Sequence, residues 1–191
     1  MAKSELNDMM QTPLNGQTYQ SESLTVQELS LCSKVVLRAD FDHADTCAAI
    51  ENTFGLSPAI AANTFNTNAD SSMHWMGPDE RLLYSESQDP ETLTKTLRTH
   101  LPEGKSAVVD VSDYYTVLKL SGDNARQVLA SGTPFDVHLR VFKSKQCAQV
   151  RFGNASLLLS CIDDTPVFHL QVRWSFAEYL WGYLCRVDSY L

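Results

Sequence analysis

The residues of this chain whose chemistry could serve catalysis or metal binding are its five histidines, its five cysteines and the pair Asp163-Asp164. His43, His74, His100, His138 and His169 are scattered, with no H-E-x-x-H and no H-x-H, and no serine stands in a G-x-S-x-G elbow. Neither metal nor nucleophilic catalysis has a motif here. Cys32, Cys47, Cys147, Cys161 and Cys185 include no C-x-x-C, so they read as small buried apolar side chains rather than zinc ligands or a disulfide framework. Asp163-Asp164 falls between two strand-like stretches, where acidic residues make turns. His169 alternates with Gln171 and Arg173 on the polar face of a strand, which favours a surface or interface role. In LSGDNARQ, Gly122 stands at a strand-to-helix junction whose free amides could hold a phosphate. Asp123 would fill that position with its own carboxylate, so helix capping by Ser121 or Asp123 is the expectation.

The stretch RWSFAEYLWGYL, Arg173 to Leu184, has the composition of an aromatic box that could stack a flat ligand. Its spacing favours core instead. Ser175 and Glu178 form a capping box, so a helix should start there. Phe176, Leu180, Leu184, Val187 and Leu191 then recur at intervals of four and three, with Glu178, Arg186 and Asp188 off the stripe. Trp181 lies on the flank of that stripe beside Tyr183, which makes the two candidates for a partner surface.

The elements that would position these residues fall into two similar halves. KVVLRADFD reads as a strand and HADTCAAIENTFG as a helix with Ala44, Cys47, Ala48 and Ile50 inward and Gly55 as its stop. SSMHWMGPDERLLYS reads as a hairpin on Gly77-Pro78-Asp79-Glu80, DPETLTKTLRTHL as a helix with Pro90 in its first turn, and SAVVDVS as a strand. The order then restarts. YTVLKLSG is a strand, DNARQVLASG a helix, CAQVRFGNASLLLSC a hairpin on Gly153-Asn154, and VFHLQVRW a strand before the last helix. A two-residue turn there pairs Phe152 with Ala155 and Cys147 with Ser160, which sends Cys147 and Cys161 to opposite faces.

The sequence therefore predicts an α+β fold of two pseudo-repeated strand-helix-hairpin-helix modules with antiparallel or mixed sheets. Residues 1–30 read as a flexible N-terminal arm or a partner-wrapping segment, 31–113 as the first module and 114–191 as the second, packed as one unit with the first. With 191 residues, 43% of them hydrophobic, there is material for a real core. A net charge of −8 without a cluster of Lys and Arg argues against nucleic acid. The first thirty residues show no export signal and no apolar run reaches the ~18 residues of a membrane span, so a soluble, cytoplasmic protein is expected.

SAVVDVSDYYTVLKLSGDNARQVLASGTPFDVHLRVFKSKQCAQV followed by FHLQVRWSFAEYLWGYL, with WMGPDERLL upstream, resembles the gamma subunit of bacterial heterotetrameric sarcosine oxidase from about Lys34 onward. The elements that carry the resemblance are Gly77-Pro78-Asp79-Glu80, Asp110 to Ser112, Gly122, Gly132 to Asp136, and Ser175-Phe176-Ala177 leading into Leu180-Trp181. Two positions depart from it: Arg81 stands where the family often has tryptophan, and Trp174 where it often has a basic residue. With Arg173, Trp181 and Tyr183, they are the partner-surface candidates. LSGDNARQVLASGTPFD is also distantly similar to the folate-dependent aminomethyltransferase fold of the glycine cleavage T-protein.

The resemblance implies a complex of alpha, beta, gamma and delta chains that oxidatively demethylates sarcosine to glycine and passes the one-carbon unit to tetrahydrofolate. FAD, FMN and NAD would sit in partner subunits, and this chain would hold no catalytic, cofactor-binding or metal-binding residues. The alternative is a freestanding folate-binding aminomethyltransferase-like protein. Against it, the hairpin such enzymes place against folate is here RFGNASLLLS, without a carboxylate.

Overall fold

The computed structural model describes residues 11–101 and 105–191. They divide into two compact units, Cys32–Ser112 and a second in which residues 11–31 join Asp113–Leu191. The described chain opens with β1 (Thr18–Gln20) and β2 (Thr25–Glu28), an antiparallel hairpin belonging to the second unit.

The first unit comprises β3 (Ser33–Arg38), α1 (Ala44–Phe54), β4 (Phe65–Thr67), β5 (Ser71–Gly77), β6 (Glu80–Ser85), α2 (Pro90–His100) and β7 (Ala107–Asp110). Its sheet has the order β4-β5-β6-β3-β7 with antiparallel pairings. Val35, Leu37, Met73 and Leu83 of the sheet form a core with Ile50 and Phe54 of α1 and Leu93 and Leu97 of α2. The start of α2 follows from its sequence: Pro90 occupies the first turn, and the Asp89 carboxylate accepts from the Thr92 amide at 2.9 Å.

The second unit continues with β8 (Tyr115–Ser121), α3 (Ala125–Gly132), β9 (Cys147–Phe152), β10 (Ala155–Asp163), β11 (Val167–Arg173), a 3-10 turn at Trp174–Phe176 and α4 (Ala177–Asp188). The sheet order is β1-β2-β8-β11-β10-β9, again antiparallel. Val26, Leu118, Phe152, Leu159 and Leu170 pack with Val128 and Leu129 of α3 and Leu180 and Leu184 of α4. The hairpin register is the one the Gly153-Asn154 dipeptide dictates, with Phe152 opposite Ala155 and Cys147 opposite Ser160. Cys161 donates its amide to the Gln146 carbonyl, one residue out of phase with Cys147, so the two thiols leave opposite faces.

The α+β expectation and the internal repeat hold, with one addition. Each unit runs strand, helix, three-strand meander, helix, and the last meander strand returns beside the first strand. The sequence reading of the first module lacked β4, a three-residue strand in a polar stretch. The position outside β3 is taken by β7, whereas the corresponding position outside β8 is taken by β2.

That placement corrects the reading of residues 1–30 as a flexible arm for residues 11–30; residues 1–10 lie outside the described residues. Leu14, Leu24 and Val26 are buried in the second core. Glu28, only 2% exposed, is satisfied by four donors: its Oε2 accepts from the Thr12 hydroxyl and from the Leu14 and Gly16 amides at 3.2 and 2.9 Å, and its Oε1 from the Thr116 hydroxyl at 2.8 Å. A buried carboxylate is tolerable only with such partners.

Three helix expectations also change. In α1 the buried positions are Thr46, Ile50 and Phe54, while Ala44 and Ala48 face solvent, because Phe54 rather than the small alanines supplies the packing volume. Neither Ser121 nor Asp123 caps α3; its flanking residue is Asn124, whose amide donates to the Ser23 carbonyl at 3.1 Å. Ser175 and Glu178 form no capping box: Ser175 lies in the 3-10 turn and α4 starts after it without a side-chain cap. The buried stripe of α4 is Ala177, Leu180, Leu184 and Asp188, with Leu191 exposed. Asp188 can turn inward because its carboxylate accepts from the Tyr19 hydroxyl at 3.1 Å and the Asn124 amide group at 3.5 Å.

Candidate functional site

The aromatic residues of α4 do not form a slot. Tyr183 donates its hydroxyl to the Ser131 carbonyl at 2.8 Å, at the end of α3, and its ring meets Phe152 edge-on at 5.0 Å. Tyr179 accepts the Asn154 amide at 3.2 Å. Gly153 donates to the Gly132 carbonyl at 2.7 Å, and a Cβ on Gly132 would fall 2.3 Å from the Phe152 ring. Both tyrosines therefore fasten α4 to the β9–β10 turn and to the end of α3. Trp181 is half-buried and packs against the same core.

A different aromatic group stands on the surface where β11 ends. Arg173 is exposed, and its guanidinium lies 5.4 Å from the centroid of the Tyr114 ring, which is itself 44% exposed. Tyr114 meets Tyr115 edge-on at 4.7 Å, and the Trp174 amide donates to the Tyr114 carbonyl at 3.1 Å. Trp174 is half-buried, and its indole Nε1 is buried without a hydrogen-bond partner. An arginine stacked on an exposed tyrosine is the composition enriched at the centres of protein interfaces. Arg173 and Trp174 thus come together with Tyr114. Sequence reasoning missed Tyr114, whose only signal was an aromatic pair in the polar stretch SDYYT.

Arg81 is a correction. It is 3% exposed, and its guanidinium donates to the carbonyls of Pro58, Gly77 and Glu80 while lying 4.2 Å over the Phe41 ring. Burial pushes its pKa down. A side chain spent on carbonyls around the β5–β6 turn is held inside the first unit and not displayed on its surface.

Other side chains singled out in the sequence make local contacts. Asp163 accepts the Thr165 amide and hydroxyl, which holds its carboxyl below the usual range, and Asp164 accepts the Ser144 amide at 2.7 Å. His169 is driven down to about 4 by burial and by the neighbouring Lys119 charge. His74 stacks on Phe65 at 4.6 Å and meets Tyr84 edge-on. The five cysteines are free thiols. Lys34, 2% exposed, donates from Nζ to the carbonyls of Cys32 and Ser112, and its amide donates to the Ser112 hydroxyl, which in turn bonds Asp110. Burial lowers the lysine's pKa.

The residues present do not fit a flavin or nicotinamide phosphate at the LSGDNARQ junction. Gly122 has φ 118°, and a Cβ there would lie 2.3 Å from the Ser23 carbonyl oxygen, so the backbone of the N-terminal hairpin already occupies the approach to α3. Among the described residues no group of three His, Cys, Asp or Glu side chains could hold a metal ion. No helix among them is long and apolar enough to cross a membrane.

Known proteins resemble this chain both in sequence and in fold. The model of the family described as sarcosine oxidase, gamma subunit matches residues 38–189. The chain is 31% identical over 160 residues to sarcosine oxidase subunit gamma of Corynebacterium sp. (strain U-96), covering 82% of this chain and 75% of that one. Its identity to the subunit gamma of Arthrobacter sp is 27% over 168 residues, covering 86% and 73%. Among solved structures it is similar to a chain of the heterotetrameric sarcosine oxidase from Corynebacterium sp. U-96 in complex with pyrrole 2-carboxylate, with a TM-score of 0.82, 25% identity and 95% of each chain covered. A second likeness, to the glycine cleavage system aminomethyltransferase T of Bartonella henselae, has a TM-score of 0.66 at 10% identity over 92% of this chain and 57% of that one, which speaks for the fold alone.

Proposed function

The chain belongs to the sarcosine oxidase gamma subunit family, and on that premise we propose that it is a noncatalytic subunit that covers and stabilises the alpha subunit of an alpha, beta, gamma, delta complex. The observation that carries this reading is the likeness to a chain of a heterotetrameric sarcosine oxidase over 95% of both chains. The complex would oxidatively demethylate sarcosine to glycine and pass the one-carbon unit to tetrahydrofolate in the cytoplasm. FAD, FMN and NAD would be held by partner subunits.

The chemistry of the chain supports that division of labour. The buried charged side chains Glu28, Lys34, Arg81 and Asp188 are bonded to backbone, hydroxyl or side-chain amide partners, which suits holding a fold. The stretch RFGNASLLLS around the β9–β10 turn carries no carboxylate where the aminomethyltransferase resemblance would face folate, and Tyr179 closes the turn. The exposed Arg173–Tyr114 pair is the surface we assign to partner contact.

Coexpression with the other three chains tests the proposal. The four-chain preparation should copurify and consume oxygen with sarcosine, and omitting this chain should lower the recovery or thermal midpoint of the alpha subunit, since a partner that binds only the folded form stabilises it. A three-chain preparation of equal stability and activity would remove the scaffold role.

A further inference from the structure

The segment between α3 and β9 exposes two large apolar residues, Leu139 at 43% and Val141 at 47%. They alternate with exposed His138 and Arg140 and are followed by exposed Lys143 and Lys145. From His138 to Lys145 there are three permanent cations and no carboxylate, in a chain of net charge −8. Asp136 reaches Arg140 from the base of the loop at 3.8 Å, an exposed pair that solvent screens.

The loop is held firmly. Arg126 donates to the carbonyls of both Val137 and Phe142, the buried residues that bracket the exposed four, while its guanidinium lies 4.9 Å over the Phe168 ring. Phe142 stacks on Phe168 at 6.2 Å and meets Phe135 edge-on at 5.2 Å. Beyond the exposed tip, the backbone amide of Lys143 donates to the Gln146 side-chain oxygen, that of Ser144 to the Asp164 carboxylate and that of Lys145 to the Cys161 carbonyl. Leu139 and Val141 make a small apolar patch on a segment fixed at both ends, and a preorganised segment loses little conformational entropy when covered.

We propose that His138–Lys145 is a second docking surface, distinct from the Arg173–Tyr114 pair, and that its occupant is an acidic, partly apolar face of another protein chain of the oxidase; this rests on the subunit reading above. Charge complementarity selects the occupant. A second copy brings the same net charge of −8, which opposes self-association, and a symmetric dimer with this loop on its axis would set cation against cation. A nucleic acid or an anionic membrane would present negative charge to the acidic chain well beyond the loop, whereas a protein face can be acidic only where the loop touches it.

The experiment is affinity copurification from coexpressed oxidase chains, comparing the wild type with Arg140→Glu/Lys143→Glu/Lys145→Glu and with Leu139→Ser/Val141→Ser, each checked by circular dichroism for retained folding. Both variants should lose about tenfold or more of the association, and wild-type association should weaken as salt rises from ~0.1 M to ~1 M, where the Debye length falls from about 10 to about 3 Å. Wild-type copurification with both variants equally bound overturns the docking surface and leaves the subunit reading standing. No association by the wild type removes both. Variants that still bind the oxidase chains but abolish self-association of the wild type, or its binding to phosphatidylserine vesicles, assign the loop to a second copy or to lipid and overturn the proposal.

Discussion

The hydroxyl of Tyr179 rests against the backbone of Gly153: it accepts the amide of the next residue at 3.2 Å and stands 2.3 Å from the place a Cβ at position 153 would occupy. Gly153 also has φ 54°, a conformation that costs an ordinary L residue about 1 kcal/mol or more. Two independent demands therefore meet at one position.

Gly153→Ala should cost about 2 kcal/mol or more in the wild type, strain and clash together. In a Tyr179→Phe background, which removes the clashing oxygen but not the positive φ, the same substitution should cost less. The interaction energy of a double-mutant cycle in urea measures the difference, and strict additivity would show that the contact is slack.

Glu28→Leu should destabilise by about 3 to 5 kcal/mol, because it leaves the Thr12 and Thr116 hydroxyls and the Leu14 and Gly16 amides without their common acceptor. Hydrogen exchange at the Leu14 and Gly16 amides should accelerate more than exchange in α2. Uniform acceleration would mean that the segment opens only with the whole fold.

These two sites differ in how far the sequence reveals them. Gly153-Asn154 announces both loop length and register, so the β9–β10 pairing is legible from the dipeptide alone. Asp89-Pro90 announces the start of α2 in the same local way. Glu28 is opaque, because the Thr116 hydroxyl that makes its burial tolerable lies 88 residues away and a glutamate in a polar stretch reads as solvated. Arg81 and Asp188 misled for that reason, each being a charged residue turned inward by tertiary partners. The proposed partner surface is half visible in the sequence: Arg173 and Trp174 stand out there, but Tyr114 joins them only because β8 and β11 pair, with Tyr115 opposite Arg173.

Arg81→Ala should lower the stability of the first unit by about 2 to 4 kcal/mol, since the carbonyls of Pro58, Gly77 and Glu80 lose their shared donor and Phe41 its cation. Association with partners, measured below the new melting point, should be unchanged. Loss of association at full stability would return Arg81 to the surface role that its burial denies.

His169 should make stability fall in mild acid. Its pKa drops from 6.5 in the unfolded chain to about 4 in the fold, so between those values the unfolded state binds more protons. Stability from this group is fully present above pH ~6.5 and is lost as pH falls toward ~4, with an upper bound of about 3 kcal/mol. His169→Gln should therefore lose less stability than the wild type between pH 7 and pH 4, read as the difference of their denaturant midpoints. Parallel pH profiles would show that the imidazole charges without penalty.

Arg173→Ala combined with Tyr114→Ala should separate the partner surface from the core. Both side chains are exposed, so the pair of substitutions should change folding stability by no more than about 1 kcal/mol, given that surface changes usually fall within about 0.5 kcal/mol each. Leu180, by contrast, is buried in the second core, and Leu180→Ala should cost about 2 to 5 kcal/mol through the cavity it leaves. Association should show the opposite order. An arginine stacked on a tyrosine at an interface centre contributes about 2 kcal/mol or more, which is roughly thirtyfold in affinity, whereas Leu180→Ala should associate normally at temperatures where it remains folded. Thermal midpoints of the isolated chain and copurification with the other oxidase chains, taken on the same preparations, give the two readouts. If the Arg173 and Tyr114 variant binds like the wild type, the stacked pair is ordinary surface and the partner face lies elsewhere on the chain.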